Sequence, residues 1–368
     1  MIDGQFTLGV EEEYQIVHPE TRDLRSYVSE IMEEGGKTIL RERVRQELHQ
    51  SMVEVGTTVC RDIHEVRGQL TEMRGELDRL ARQGGLRIVA ASTHPFADWV
   101  TQPITEHERY ATIVNDMQDL ARANLIFGLH VHVGIKEKQV AIALANQVRY
   151  FLPHLLALSC SSPFWLGRKT GLMSNRCHIF KRFPRTGIPD EFESQEQMEN
   201  FVELLVKTGC IDNGKKIWWD VRPHYLYDTV EIRICDMPTQ LEDTVALVAL
   251  IQALMAKLYL MYRRNTAWRS YGRSLIEENK WRAQRYGTDA RMIDFGMQAE
   301  RPFPELADEL VDFVLETSEL LGTTELIQRI RQIAREGTSA HRQIEIFERN
   351  QDSRAVVDWL IAETMRGV

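Results

Sequence analysis

Alternation of apolar and polar positions is the clearest pattern along the chain. In Gly9-Val10-Glu11-Glu12-Glu13-Tyr14-Gln15-Ile16-Val17, the strand formers Tyr14, Ile16 and Val17 favour an extended backbone. Glu11 and Glu13 then share one face, and Val10 and Glu12 take the other. An edge strand carries such charge simply to stay soluble, so the run alone defines no site. A second alternating stretch, Leu125 to Gly134, sets His130 and His132 against Val131 and Val133. In a third, Thr229 to Cys235, the residues Thr229, Glu231, Arg233 and Cys235 oppose Val230, Ile232 and Ile234. That pattern fits a sheet lining a site, and equally an ion pair along a solvent face. The β-branched run Val53 to Val59, the short Leu86 to Ala91 and Lys216 to Val221 complete the expected strands.

Helical spacing fills the rest. Thr38 to Met52 reads as a helix, which places Glu47 on a helix and Glu54 on the strand that follows. Asp62 caps a helix whose stripe Ile63, Val66, Leu70, Met73, Leu77 and Leu80 ends at Gly84-Gly85. The stripe reads as core packing, with a homodimer face as the alternative. Further helices are expected over about 106–123, over 136–160, and from a capping box at Ser194 and Gln197 to about Thr208. Thr239 and Glu242 open another to about Arg264, and the pattern is helical from Phe303 onward. With no repeat or linker, residues 1–368 read as one α+β domain whose part from about 239 to 368 is mainly helical.

Composition narrows the function. A chain of 368 residues that is 43% hydrophobic can bury a large core, and its formal charge of -9 argues against nucleic-acid binding. Five widely spaced cysteines with no Cys-x-x-Cys pair argue against a disulfide framework or a structural zinc. A cytoplasmic setting is expected, because the N-terminus shows no signal-peptide pattern. The longest apolar stretch, Val140 to Trp165, is broken by Arg149, Pro153 and His154, so no membrane span is expected. Two histidines on one strand face suit metal or anion binding. The cationic loop from Ser161 to Arg176 is weaker evidence, since surface loops commonly carry Arg and Lys.

Several segments together resemble a known family. Gly9 to Tyr14, Met52-Val53-Glu54-Val55 with Val59-Cys60, Thr93-His94-Pro95-Phe96, His130 to Gly134, Trp219 to Pro223, Glu231-Ile232-Arg233 and Glu278 to Arg282 are similar to YbdK-type carboxylate-amine ligases. These are also called type 2 glutamate-cysteine ligases. The resemblance implies a glutamine-synthetase-like fold: a curved antiparallel sheet forming an open funnel, with helices packed outside. It also implies an ADP-forming reaction that uses ATP and Mg²⁺ (or Mn²⁺) to join a carboxylate to an amine, glutamate and cysteine being the substrates the family is named for. By resemblance, Glu11, Glu13, Glu47, Glu54 and Glu231 hold metal with His130, while Arg233 meets the terminal phosphate of ATP. Arg176, His132 and Thr93 are the implied substrate residues. Asn175 departs from the Tyr expected at that place in many relatives, which bears on acid or amine specificity.

The chemistry is coherent without the family. Converging carboxylates repel by about 4 kcal/mol per close pair at an effective dielectric near 20, and divalent cations with oxygen ligands relieve that. A carboxylate reacts poorly with an amine until phosphorylation supplies a better leaving group. Two rival readings exist: a metal-dependent hydrolase built on His-x-His, and a non-catalytic nucleotide-binding relative. Glu12, facing away from the implied site, is expected to tolerate Gln with turnover largely intact.

Overall fold

A computed structural model describes residues 6–368. Seven strands form the main sheet: β1 (Leu8–Val17), β2 (Val44–Gln46), β3 (Met52–Gly56), β4 (Arg87–Val89), β5 (Leu129–Gly134), β6 (Val221–Pro223) and β7 (Thr229–Ile232). Their order is β6-β7-β5-β1-β3-β2, with β4 also paired to β1, and every pairing is antiparallel. The sheet is not closed. β1 lies in its middle, so the edge-strand explanation of the Glu-Glu-Glu run does not apply.

One face of this sheet is apolar. Val10, Tyr14, Val53, Val55, Val131, Val133, Val230 and Ile232 are buried together with residues of α1 (Ile63–Gln83) and of another long helix, Leu241–Arg263. Each such side chain contributes about 1.5–3 kcal/mol when fully buried. A slip of one residue would exchange this face for the acidic one, so the register is strongly specified. The α1 stripe Ile63, Val66, Leu70, Met73, Leu77 and Leu80 is at most 2% exposed, hence occupied by the chain's own core. Asp62 caps α1 by accepting from the His64 and Glu65 amides. Among the described residues, Leu241–Arg263 alone is long and apolar enough to cross a membrane, but 78% of its apolar window is buried inside the protein.

Glu12 corrects an expectation. It lies on the apolar face as predicted, but in a fully buried ion pair with Arg74 of α1, both side chains being 0% exposed. Arg74 Nε donates to Glu12 Oε2 at 3.2 Å, and Arg74 Nη1 donates to the carbonyls of Thr239 and Thr364 at 3.0 and 3.3 Å. The Tyr14 hydroxyl also donates to Glu12. This carboxylate ties β1 to α1 and is no solvent-facing charge.

Local expectations differ in five other places, one being Lys216 to Val221, where a 3-10 turn over Gly214–Lys216 and a two-residue strand, Trp218–Trp219, paired with Thr186–Gly187, precede β6. No helix forms over Thr38 to Met52: β2 pairs with β3 instead, after a turn in which Glu42 takes φ 65°. Glu47 therefore follows a strand, because ladder hydrogen bonds outweigh a modest helical preference. The expected 106–123 helix divides at Gln118, where φ is 50°. The expected 136–160 helix divides at a 3-10 turn, Arg149–Phe151, since Pro153 suits the first turn of a new helix, Leu152–Ser159. Thr239 does not cap the helix Leu241–Arg263, because its hydroxyl pairs with that of Ser339 at 2.6 Å. The chain also contains a helix at Val28–Gly35 and a hairpin of Arg291–Asp294 with Ala299–Pro302 that the pattern did not indicate.

Candidate active site

Strand register assembles the polar face. Across β1 and β5, Glu11 stands opposite His130; across β1 and β3, Glu13 stands opposite Glu54. Across β5 and β7, His132 stands opposite Glu231, and Arg222 on β6 stands opposite Glu231 in turn. Directly opposed residues share a face, so these pairs lie in one continuous polar field. They line a cavity of about 390 Å³, together with Glu47, Arg45, Arg109, Tyr110, Arg176, Phe180, Trp218 and Arg233.

The donors are close enough to share ions. Glu11, Glu54 and His130 each offer a ligand atom within 4.8 Å of the others, as do Glu11, His132 and Glu231, so Glu11 belongs to both groups. His130 Nδ1 is 3.3 Å from Glu11 Oε2, and His132 Nε2 is 3.9 Å from both Glu11 Oε2 and Glu231 Oε1. His132 Nδ1 meets Thr229 Oγ1 at 3.1 Å, which orients the ring. The structure thus places His132, expected beside a substrate, within a donor group. Glu13 and Glu47 line the same cavity.

Burial and mutual repulsion set the ionisation of the acids unequally. Burial pushes the Glu13 carboxyl up to about 7, helped by the charge of Glu54, and burial with the charge of Glu13 does the same for Glu47. Glu54 is raised well above its usual range by burial and by Glu11. Burial opposes ionisation of Glu231, but Arg233 and Arg222 outweigh it and hold that carboxyl low. In the metal-free protein, Glu13 and Glu47 bind more protons folded than unfolded between the usual value near 4.5 and about 7. They therefore lower stability as pH rises through that window. A divalent ion held near these carboxylates would reverse the trend by taking the ionised oxygens. Thermal stabilisation by Mn²⁺ should consequently be larger at pH 8 than at pH 6; a melting-temperature gain independent of pH would remove both carboxylates from the ion's surroundings.

Five arginines line the cavity with the acids, Arg109 beside Glu47 and four others. Arg233 follows β7 and bonds Glu231 through Nη1, while Arg222 Nε donates to the same carboxylate at 2.6 Å. Arg45 Nη1 donates to Glu11 and Glu54 at 3.0 and 3.1 Å. Arg176 lies on the short helix α2 (Asn175–Phe180), capped by Ser174 and not part of a loop as expected. Its guanidinium donates to the Arg233 and Ile234 carbonyls at 3.2 Å each. It lies so close to Gly128 that a Cβ there would sit 2.3 Å from Nη2, so any larger residue would displace the guanidinium. The structure does not bring Thr93 to this cavity: its hydroxyl, 1% exposed, donates to the Phe164 carbonyl at 2.8 Å. Asn175 is buried and does not line the cavity either, which moves the departure at that position away from it. Arg45 and Arg222 escaped the sequence reading. Arg45 was hidden by the mistaken helix, and Arg222 fell one residue beyond the expected strand Lys216 to Val221, although β6 spans Val221–Pro223.

Residues 7–358 match the family described as glutamate-cysteine ligase family 2 (GCS2). A protein of Sorangium cellulosum named "Putative glutamate-cysteine ligase 2" is 63% identical over 369 residues, which is 100% of this chain and 98% of that protein. The glutamate-cysteine ligase of Francisella tularensis, solved with AMP, has a TM-score of 0.72 at 11% identity, over 98% of this chain and 89% of that one. A bifunctional glutathione synthetase of Pasteurella multocida gives 0.71 at 13% identity over 98% of this chain. The present chain spans only 52% of that larger protein. Their fold is the glutamine-synthetase-like one, an antiparallel sheet with helices packed against it, as expected. The extent of the match and the 63% identity show that this chain belongs to glutamate-cysteine ligase family 2.

Proposed function

We propose that the protein is an ATP-dependent, ADP-forming carboxylate-amine ligase, with weak glutamate-cysteine ligation giving γ-glutamylcysteine among its reactions. The observation that carries this reading is the shared sheet face of Glu11, Glu54, Glu231, His130 and His132, with Arg233 and Arg176 on the same cavity. Carboxylate oxygens outnumber imidazoles in both donor groups, which suits Mg²⁺ or Mn²⁺ better than zinc. Glu11, Glu54 and His130 would hold one ion, Glu11, His132 and Glu231 another, with Glu13 and Glu47 adding charge. When bound, such ions neutralise phosphate oxygens and lower the barrier to phosphoryl transfer.

The protein's own residues account for the rest. A carboxylate oxygen of the acid attacks the γ-phosphorus of ATP, the bond to the β–γ bridging oxygen breaks, and ADP leaves. Arg233, whose Nε has no partner among the described residues, is assigned to the charge that develops on the transferred group. The amine nitrogen then attacks the acyl carbon, the carbon–oxygen bond to phosphate breaks, and the nitrogen loses a proton. Arg176 is assigned to the acid substrate; its Nε likewise has no partner among the described residues, and its other donors fix the backbone carrying Arg233. No covalent bond to the protein is needed.

ADP release from purified protein with Mg²⁺, ATP and a panel of acids and amines, with mass identification of the amide, tests the proposal. A metal-dependent turnover that needs no nucleotide would instead favour the hydrolase reading, and no release with any pair would favour a non-catalytic one. Hydroxylamine added to a working reaction is expected to yield a hydroxamate from the acyl phosphate. An efficient substrate giving ADP but no hydroxamate would rule that intermediate out.

A further inference from the structure

The position of Arg45 has no counterpart in the roles assigned above. This residue comes from β2, stands opposite Glu54 in the β2–β3 register, and reaches past it to Glu11 on the next strand but one. A single nitrogen, Nη1, donates to both carboxylates, at 3.0 and 3.1 Å. The same two carboxylates form a donor group with His130. The Arg45 side chain is 54% exposed, whereas that of Glu54 is 7% exposed, so the cation can swing into solvent and the acid cannot.

We infer that Arg45 is a displaceable cation, which occupies the place of a divalent ion between Glu11 and Glu54 until that ion enters and drives it out. The inference rests on the metal-ligand assignment proposed above. One guanidinium offsets part of the mutual repulsion of the two acids, and a divalent ion offsets more of it. Once the ion is bound, like charge repels the arginine. A rival effect must be weighed, since Arg45 could help metal binding by holding the acids together. The fold already does that: the β1–β3 ladder sets Glu13 opposite Glu54 and Glu11 opposite Gly56 without help from Arg45. Competition should therefore outweigh preorganisation.

The test is Mn²⁺ binding to the full chain without nucleotide, read from the electron paramagnetic resonance signal of free Mn²⁺. Arg45→Ala is expected to bind Mn²⁺ about two- to fivefold more tightly than the wild type, the range set by partly exposed ion pairs. Arg45→Lys, which keeps a positive charge, is expected to stay near the wild type. Unchanged or weaker binding in Arg45→Ala, in a variant that thermal melts show to be folded, overturns the inference while leaving the ligand set standing. Failure of the wild type to take up Mn²⁺ overturns the ligand assignment and the inference with it.

Discussion

Glu12→Gln is expected to lower the unfolding free energy by about 3–5 kcal/mol, because it leaves a buried guanidinium without its counter-charge. Glu12 and Arg74 are both 0% exposed, and the amide cannot replace a carboxylate that accepts from two arginine nitrogens and from Tyr14. Native proteins have only about 5–15 kcal/mol to lose, so the variant should melt well below the wild type. Urea denaturation measures the change directly. The double variant Glu12→Gln, Arg74→Met should be more stable than Glu12→Gln alone, since it removes the orphaned charge together with its partner. A single variant as stable as the wild type would show that the pair is not the anchor described here.

Glu231→Gln carries the second large effect, on activity. Glu231 is 1% exposed, 3.9 Å from His132 Nε2, and bonded to both Arg222 and Arg233. Neutralising it weakens a proposed ion site and leaves one acceptor oxygen where Glu231 serves both Arg222 and Arg233. Changes to residues that only support a metal ligand typically cost about 10–100-fold, so loss of the ligand itself is expected to reduce ADP formation at least about 100-fold. Arg222 and Arg233 remain next to each other near the cavity, so a modest fall in stability should accompany the loss. The two effects separate experimentally: Mn²⁺ affinity should drop in protein that still melts cooperatively. Near-normal ADP formation by Glu231→Gln would take the residue out of the site.

Much of the site was legible because a strand repeats every two residues. The alternation at Glu11 and Glu13, at His130 and His132, and at Glu231 and Arg233 fixed which side chains share a face within each strand, whatever the sheet order. The stripe of α1 was equally plain, since its spacing is a property of one helix. Resemblance across the chain then brought the separate strands together.

Neighbours in space were another matter. Nothing within Val44–Gln46 itself says that it will pair with β3, because the ladder comes from Val53–Val55, a stretch that is held in place by its own pairing with β1. With that strand misread, Arg45 could not be placed against Glu11 and Glu54. Thr93 was assigned to substrate by resemblance, yet its hydroxyl is taken up by the Phe164 carbonyl, 71 residues away. Glu12 is the clearest case. Its sequence determined only that it faces away from Glu11 and Glu13; whether that other face met water or a buried arginine depended on how α1 packs. The periods of strand and helix, set by backbone geometry, are thus written in the sequence. The partner of each buried charge is decided only when elements far apart in the chain exclude water between them.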